Sequence, residues 1–228
     1  MPSSTPTPAL LIFDLDGTLV NTGPQIARAW GRILTELGRE PLPRDAVERM
    51  VGDGAAKLVE RGLAATGGQP MEPSFEAIVE RYAATLAAEP IDAGDLYTGV
   101  AETLRQLADA GHAMAVCTNK PAAAAETALE MTGIRHFFDP VVGGGSAPAL
   151  KPDPAPVRAI LDHHGREPRQ AVMIGDHEND VRAAFAADVP AILVTYGYAK
   201  PAQDTFGAHA IDSFGALPGT IAAFAANA

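Results

Sequence analysis

The chain has 228 residues, 47% of them hydrophobic and 20% charged, which is an ordinary composition for a globular protein with a substantial core. Its formal net charge of -11 argues against nucleic acid and anionic membranes as partners, because both attract clustered Lys and Arg. The single cysteine, Cys117, cannot form an internal disulfide, so a cytoplasmic location is expected.

The first residues, "MPSSTPTP", are rich in Pro, Ser and Thr and predict a short disordered tail. They carry no basic segment, and the apolar run that follows is cut short at Asp14. Neither a signal peptide nor a membrane span is therefore expected at this end.

The next stretch, "LLIFDLDGT", begins as a buried strand and ends in two carboxylates, Asp14 and Asp16. Two acids this close repel each other, and a divalent cation such as Mg²⁺, which prefers oxygen ligands, would offset their charge. Asp-Gly after an apolar run is also a common turn signal, so this stretch alone leaves a simple hairpin open.

Residues 21–94 contain helical patterns and no convincing strand. The first helix is predicted to start near Thr22, with Pro24 in its first turn, and to end at Gly38. Further helices are predicted at 44–50, 55–65 and 74–88, with Trp30, Phe75 and Tyr82 in their shared core. This pattern predicts a helical cap domain at 21–94, inserted into a core domain formed by 1–20 and 95–228.

The rest of the chain alternates between strands and helices. Strands are predicted at "HAMAVCT", "PVVGG", "QAVMIGD" and "AILVT", and helices at 99–111, 120–133, 153–165 and 178–189. Nearly continuous apolar runs are typical of parallel strands covered on both faces. The predicted fold class is therefore α/β, with a Rossmann-like parallel sheet core, right-handed crossovers and the inserted helical cap.

Polar residues that follow parallel strands meet at the carboxyl edge of the sheet, where open α/β folds bind ligands. A divalent cation there would let Asp14 act as a nucleophile toward phosphorus while Asp16 exchanges protons. The remaining groups would bind phosphate or the metal. Taken singly, Lys151 could be a solvated loop residue, and Asp176 and Asp180 could be acids at a helix N-terminus. The converging residues are Asp14, Asp16, Thr118, Asn119, Lys151, Asp176 and Asp180.

"DLDGT", "CTNK", "LKPDP" and "GDHEND", in this order, resemble the four motifs of the haloacid dehalogenase superfamily of phosphohydrolases. The resemblance implies that Asp14 forms an aspartyl-phosphate and that Asp16 is the general acid/base. It also implies that Thr118 and Lys151 bind phosphate, and we expect the Asn119 amide, which follows Thr118, to donate a hydrogen bond to it as well. The implied Mg²⁺ ligands are Asp14, the backbone carbonyl of Asp16, Asp176 and, through water or as a support, Asp180.

Within this superfamily, "VGDGAAKLVERGL", "TNKP" and "TYGYAK" resemble the phosphoglycolate phosphatase branch. This implies Mg²⁺-dependent hydrolysis of a small phosphoester, 2-phosphoglycolate, to glycolate and phosphate, and we expect a monomer or homodimer. The cap would select the substrate through candidates Gly52, Gly54, Lys57 and Arg61. Two positions depart from the pattern: Asn21 stands where relatives often have Asp, and His177 stands where a small hydroxyl residue is common.

Other functions remain open. A hexose-phosphate phosphatase or phosphoglucomutase-like enzyme would begin with the same chemistry, and a phosphate-sensing module would keep the fold without turnover. A dehalogenase or phosphonate-cleaving enzyme is disfavoured, because such relatives lack the second acid present here as Asp16. We expect Cys117 to be a small buried hydrophobe and assign no role to the histidines outside the motifs.

Overall fold

The computed structural model describes residues 9–198, 205 and 207–226. The predicted tail at 1–8 and the last two residues of "TYGYAK" lie outside this part of the chain. The core is a six-stranded sheet in the order β3-β2-β1-β4-β5-β6, and every neighbouring pair is parallel, as predicted. The strands are β1 (Leu10–Phe13), β2 (Ala113–Pro121), β3 (Val141–Gly144), β4 (Ala171–Gly175), β5 (Ala191–Val194) and β6 (His209–Ile211).

Helices cover both faces of this sheet. Alternate residues of a strand point to opposite faces, so Leu11 and Phe13 join one hydrophobic core and Leu10 and Ile12 join the other. The first core includes residues of α5 (Val100–Asp109), α6 (Ala122–Met131) and α9 (Leu217–Ala226). The second includes residues of α7 (Ala155–His164) and α8 (Glu178–Ala186). This two-sided burial explains why the strand sequences are apolar throughout.

Between residues 21 and 94, all of which are described, the chain forms helices and no strand of the sheet. They are α1 (Gly23–Glu36), α2 (Arg44–Glu48), α3 (Ala55–Ala65) and α4 (Phe75–Ala88). They share a separate core in which Trp30 and Tyr82 are fully buried and meet edge to face, with ring centroids 5.9 Å apart. Phe75 packs against this core and is only partly buried.

Two connections join these helices to the sheet, and they run side by side. Val20 and Leu96 form an antiparallel bridge, and the Asn21 N–H donates to the Asp95 carbonyl at 2.8 Å. We propose this paired segment as the boundary between the core domain (1–20 and 95–228) and the cap (21–94).

The structure adds one strand that the pattern does not predict. β6 spans only three residues, His209–Ile211, two of them exposed, so it lacks the apolar run that marks a buried strand. The strand "HAMAVCT" is longer than predicted and continues to Pro121, whereas the helix predicted at 44–50 ends at Glu48.

Gly62 provides a test of cap packing. It is buried on α3, and a Cβ at this position would lie 2.4 Å from ring atoms of Trp30. We expect Gly62→Ala to lower the free energy of unfolding by about 1–3 kcal/mol, because overpacking outweighs a helix-propensity gain of about 1 kcal/mol. Gly219 on α9 has nothing within 4 Å of its hypothetical Cβ. Gly219→Ala is therefore the matched control, and urea unfolding that finds the two variants equally stable would contradict the prediction.

Candidate active site

The sheet places three predicted site residues at the carboxyl ends of neighbouring strands. Phe13, the last residue of β1, pairs with Val116 of β2 on one side and Ile174 of β4 on the other. Asp14 follows β1, Thr118 lies two residues beyond Val116, and Asp176 lies two beyond Ile174. Strand register alone therefore brings these side chains to one edge. They line a cleft whose space, counted out to its open mouth, is about 590 Å³.

Lys151 is the buried cation at the centre of this edge. Its Nζ donates to Asp14 Oδ1 at 2.9 Å, to Asp180 Oδ1 at 2.6 Å and to the Cys117 carbonyl at 2.5 Å. These contacts use all three N–H donors of the ammonium. Burial lowers the pKa of Lys151, but attraction by Asp14 and Asp180 outweighs this effect, so its pKa lies above the usual value and the group stays charged.

The neighbouring acid, Asp16, has different partners. Its Oδ1 accepts hydrogen bonds from the Thr22 hydroxyl at 2.6 Å and from Lys120 Nζ at 3.0 Å. Asp14 and Asp16 thus face separate cations, Lys151 and Lys120. This arrangement gives two adjacent carboxylates distinct surroundings, as separate chemical roles require.

An all-oxygen acidic cluster surrounds Asp14. One carboxylate oxygen from each of Asp14, Asp176 and Asp180 lies within 4.8 Å of the others, and all three residues are buried. Burial, opposed by Lys151 and reinforced by Asp180, raises the pKa of Asp14 to about 7. Such crowding of buried acids fits a hard divalent cation, which binds carboxylate oxygens and offsets their charge. The carboxylate of Asp16 is not part of this cluster, and binding of a metal ion by the Asp16 backbone carbonyl stays a prediction.

Close backbone approach holds Asp176 in place. A Cβ at Gly17, where φ is +86°, would lie 2.4 Å from Asp176 Oδ2, and one at Gly197 would lie 2.2 Å from the same atom. The Tyr198 N–H donates to this oxygen at 2.8 Å. Only glycine leaves room for the carboxylate at these two positions, so the backbone itself forms its pocket.

The side chain of Asn119 holds the backbone of Lys151. Its Oδ1 accepts from the Lys151 N–H at 2.9 Å, and its Nδ2 donates to the Lys151 carbonyl at 2.8 Å and to the Gly52 carbonyl at 2.9 Å. Both amide hydrogens are thereby used. In this arrangement both side-chain hydrogens of Asn119 are used on Lys151 and the cap, and its predicted phosphate contact stays a prediction.

The cap loop that contains Gly52 and Gly54 closes over the strand ends. Asn179 Nδ2 donates to Asp53 Oδ1 at 2.7 Å and to the Gly52 carbonyl at 3.3 Å. The ring of His177 lies beneath this loop, and a Cβ at Gly52, where φ is +120°, would come within 2.8 Å of it. His177 Nδ1 also accepts from the Asn179 N–H at 3.2 Å, so His177 caps α8.

The four predicted cap contacts divide into two groups. Gly52 and Gly54 line the cleft, but Lys57 and Arg61 are not among its lining residues. Lys57 pairs with Glu60 at 2.7 Å, and Arg61 pairs with Asp53 at 2.5 Å. Each cation is thus held by an acid of the cap, and in this arrangement neither of them lines the cleft.

The lining residues that the sequence reasoning did not place at the site include two with polar groups beside Asp16 and Asp176, Lys120 and Tyr198. The Tyr198 hydroxyl donates to Asn21 Oδ1 at 3.2 Å and accepts from the Gly23 N–H at 2.6 Å, which fixes the start of the cap. Asn21, which stands where relatives often have Asp, therefore still supplies the side-chain oxygen that accepts this hydrogen bond. Both residues lie in quoted motifs, "TNKP" and "TYGYAK", and the position of Lys120 directly after Thr118 and Asn119 was the available signal.

Cys117 and His112, to which the sequence analysis assigns no role, do not line the cleft. Cys117 is fully buried, and this burial raises the pKa of its thiol to about 12, which confirms it as an inert core residue. His112 Nδ1 accepts from the Ala9 N–H at 3.0 Å, far from the cleft lining. Within the described ranges, the chain has no helix long and apolar enough to cross a membrane.

The chain is similar in sequence to known proteins along most of its length. The family model for haloacid dehalogenase-like hydrolases matches residues 11–194. A phosphoglycolate phosphatase of Rhodospirillum rubrum is 41% identical over 215 residues, which cover 92% of this chain and 89% of the relative.

Solved structures of similar proteins share the fold of this chain. A predicted phosphoglycolate phosphatase from Haemophilus somnus superposes with a TM-score of 0.85 at 29% identity, covering 94% of this chain and 98% of that one. CbbY from Rhodobacter sphaeroides, in complex with phosphate, superposes with a TM-score of 0.80 at 25% identity, covering 92% and 96%. By sequence and by fold, this chain belongs to the haloacid dehalogenase-like hydrolase family.

Proposed function

We propose that this protein is a Mg²⁺-dependent phosphatase that hydrolyses 2-phosphoglycolate to glycolate and phosphate through an aspartyl-phosphate at Asp14. One observation carries the proposal: two adjacent carboxylates, Asp14 and Asp16, are held by two different ammonium groups at the carboxyl edge of the sheet. The names of the sequence relatives supply the substrate.

The proposed reaction has two steps. Asp14 attacks phosphorus, and Asp16 gives a proton to the leaving oxygen of glycolate. Asp16 then takes a proton from the water that cleaves the phospho-aspartate, which returns both acids to their starting states. Asp14 acts on phosphorus and Asp16 only transfers protons, so their roles do not conflict.

Lys151 would hold the phosphate through its positive charge, which offsets the charge that gathers on the phosphate oxygens, and Thr118 would donate a hydrogen bond to them. Lys151 Nζ lies 2.9 Å from Asp14 Oδ1, so this charge would act next to the transferred group. The Thr118 Oγ1 accepts from the Lys120 N–H at 3.2 Å, which leaves its own hydrogen to donate to phosphate. Catalysis then rests on positioning and charge, as phosphoryl transfer requires.

The Mg²⁺ ion would be held by Asp14 and Asp176 with the backbone carbonyl of Asp16, and Asp180 would support it from beside Lys151. When bound, the ion would offset the clustered carboxylates and draw charge from the phosphate oxygens. The buried oxygen-only donor set supports this ion over a softer metal.

The proposal is tested by phosphate release from phosphoglycolate, hexose phosphates, nucleotides and pyrophosphate, each with Mg²⁺ and with EDTA. We expect kcat/KM for phosphoglycolate to exceed the others by at least about 100-fold. EDTA should lower release by at least about 10³-fold, with recovery on adding Mg²⁺.

The other outcomes identify the alternatives. A hexose phosphate as the best substrate would replace the substrate assignment and keep the chemistry. Absence of release from every ester with Mg²⁺ present would favour a phosphate-sensing module.

We also propose that the protein acts in the cytoplasm as a monomer or homodimer on a small-molecule substrate. Its single cysteine, Cys117, supports a reducing compartment, and its net charge of -11 disfavours nucleic acid and anionic membranes. Light scattering of the purified protein would give the oligomeric state.

A further inference from the structure

Two buried ammonium groups line the cleft, and they differ in the donors that remain. Lys151 gives its three hydrogens to Asp14, Asp180 and the Cys117 carbonyl. Lys120 Nζ meets two acceptors in the described part of the chain, Asp16 Oδ1 at 3.0 Å and Gln25 Oε1 at 3.4 Å. An ammonium has three donors, so Lys120 keeps one for a ligand.

The surroundings of Lys120 hold its ammonium in position. Lys120 lies near the end of β2, and its side chain is almost fully buried. Gln25, on cap helix α1, is itself anchored because its Nε2 donates to the Leu86 and Glu89 carbonyls at 3.3 and 3.2 Å. Lys120 therefore lies where the core and the cap meet, beside the proton donor Asp16.

The cap wall of the cleft is mostly apolar. It is lined by Ile26, Val51, Ala55, Leu58 and Leu86, with Tyr82, and among the described residues none of the cap's Lys or Arg side chains lines it. A carboxylate buried against such a wall without a cation would be strongly destabilised. A second anionic group on the substrate must therefore be met from the core side.

We propose that Lys120 binds the carboxylate of the substrate and determines the preference for a carboxylated phosphoester; this rests on the proposed phosphatase function. Asp16 must reach the leaving oxygen to protonate it. In phosphoglycolate the carboxyl carbon is attached to the same carbon atom that bears this oxygen. An ammonium 3.0 Å from Asp16 therefore lies beside the carboxylate.

The experiment compares two esters: 2-phosphoglycolate and 2-hydroxyethyl phosphate, in which a hydroxymethyl group replaces the carboxylate. We expect Lys120→Met to lower kcat/KM about 100-fold on phosphoglycolate, the scale of one charge-assisted hydrogen bond. On the neutral ester the loss should be at most about 10-fold, because only the contact with Asp16 is missing. Lys57→Met, which removes an exposed cap lysine, is the matched control and should change neither value.

A second variant guards against misfolding. Lys120→Gln removes the charge but keeps an N–H donor for Asp16, and it should show the same fall in the ratio of the two kcat/KM values. If this ratio stays at its wild-type value in a folded Lys120 variant, Lys120 serves only to position Asp16 and the inference is overturned. If the wild-type protein itself does not prefer phosphoglycolate, the proposed substrate fails instead.

Discussion

Asp14→Asn is expected to lower kcat for phosphate release by about 10⁵-fold, the scale of losing a covalent nucleophile. An amide cannot attack phosphorus as a carboxylate does, and the proposed mechanism gives the other carboxylates of the site different roles. Phosphate release under saturating phosphoglycolate and Mg²⁺ measures this loss. Acid quenching of wild type during turnover should trap phosphate on the protein, and the variant should trap none.

The same substitution should leave the fold intact. Burial raises the pKa of Asp14 to about 7. At any pH above the pKa that Asp14 has in the unfolded chain, its ionised carboxylate therefore opposes folding. Replacement by an amide removes that cost. Lys151 keeps Asp180 as a partner. Asp109→Asn, at the exposed end of α5, is the matched control and should retain full activity. A folded Asp14→Asn protein with wild-type turnover would refute the aspartyl-phosphate mechanism.

Lys151→Met is expected to damage both stability and activity. It leaves Asp14 and Asp180 buried without their shared cation, and breaking a buried ion pair by removing one partner costs about 3–5 kcal/mol. Loss of a fixed positive charge beside the transferred phosphate should lower kcat/KM by about 10²–10³-fold. Urea unfolding in EDTA measures the first effect, and phosphate release with Mg²⁺ measures the second.

Lys57→Met is again the control, because its pair with Glu60 is solvent-exposed and such pairs contribute about 0–1 kcal/mol. We expect its stability and turnover to stay near wild type. If Lys151→Met were as stable and active as Lys57→Met, the central role given to Lys151 would be wrong.

Much of the site could be predicted because it depends on strand ends. Asp14, Thr118 and Asp176 each follow an apolar run, and parallel register brings such positions to one edge. Lys151 and Asp180 also come after strands, but they lie farther along the chain. Lys151 is in the loop that follows β3, and Asp180 is on α8. The short edge strand β6 escaped prediction because it has no apolar run to mark it.

The partners of these residues could not be predicted in the same way. Asn119 has the amide expected of a phosphate donor, yet the cap loop takes one of its hydrogens through the Gly52 carbonyl. Lys57 and Arg61 have the charge expected of substrate contacts, yet each finds an acid on its own cap. For Asn119 and Arg61 the partner lies on another segment of the chain. Lys57 differs, because Glu60 lies three positions along the same helix and this spacing is visible in the sequence.

The sequence by itself determined the sheet, the helical insertion and the acid pair, because strand periodicity and residue chemistry are local properties of the chain. Only the tertiary structure decided that Asp16 faces Lys120, 104 positions away, while Asp14 faces Lys151, 137 positions away. Such pairings depend on the order of the strands in the sheet and on how the segments beyond them fold, and contacts between segments this far apart leave no periodic signal in the sequence.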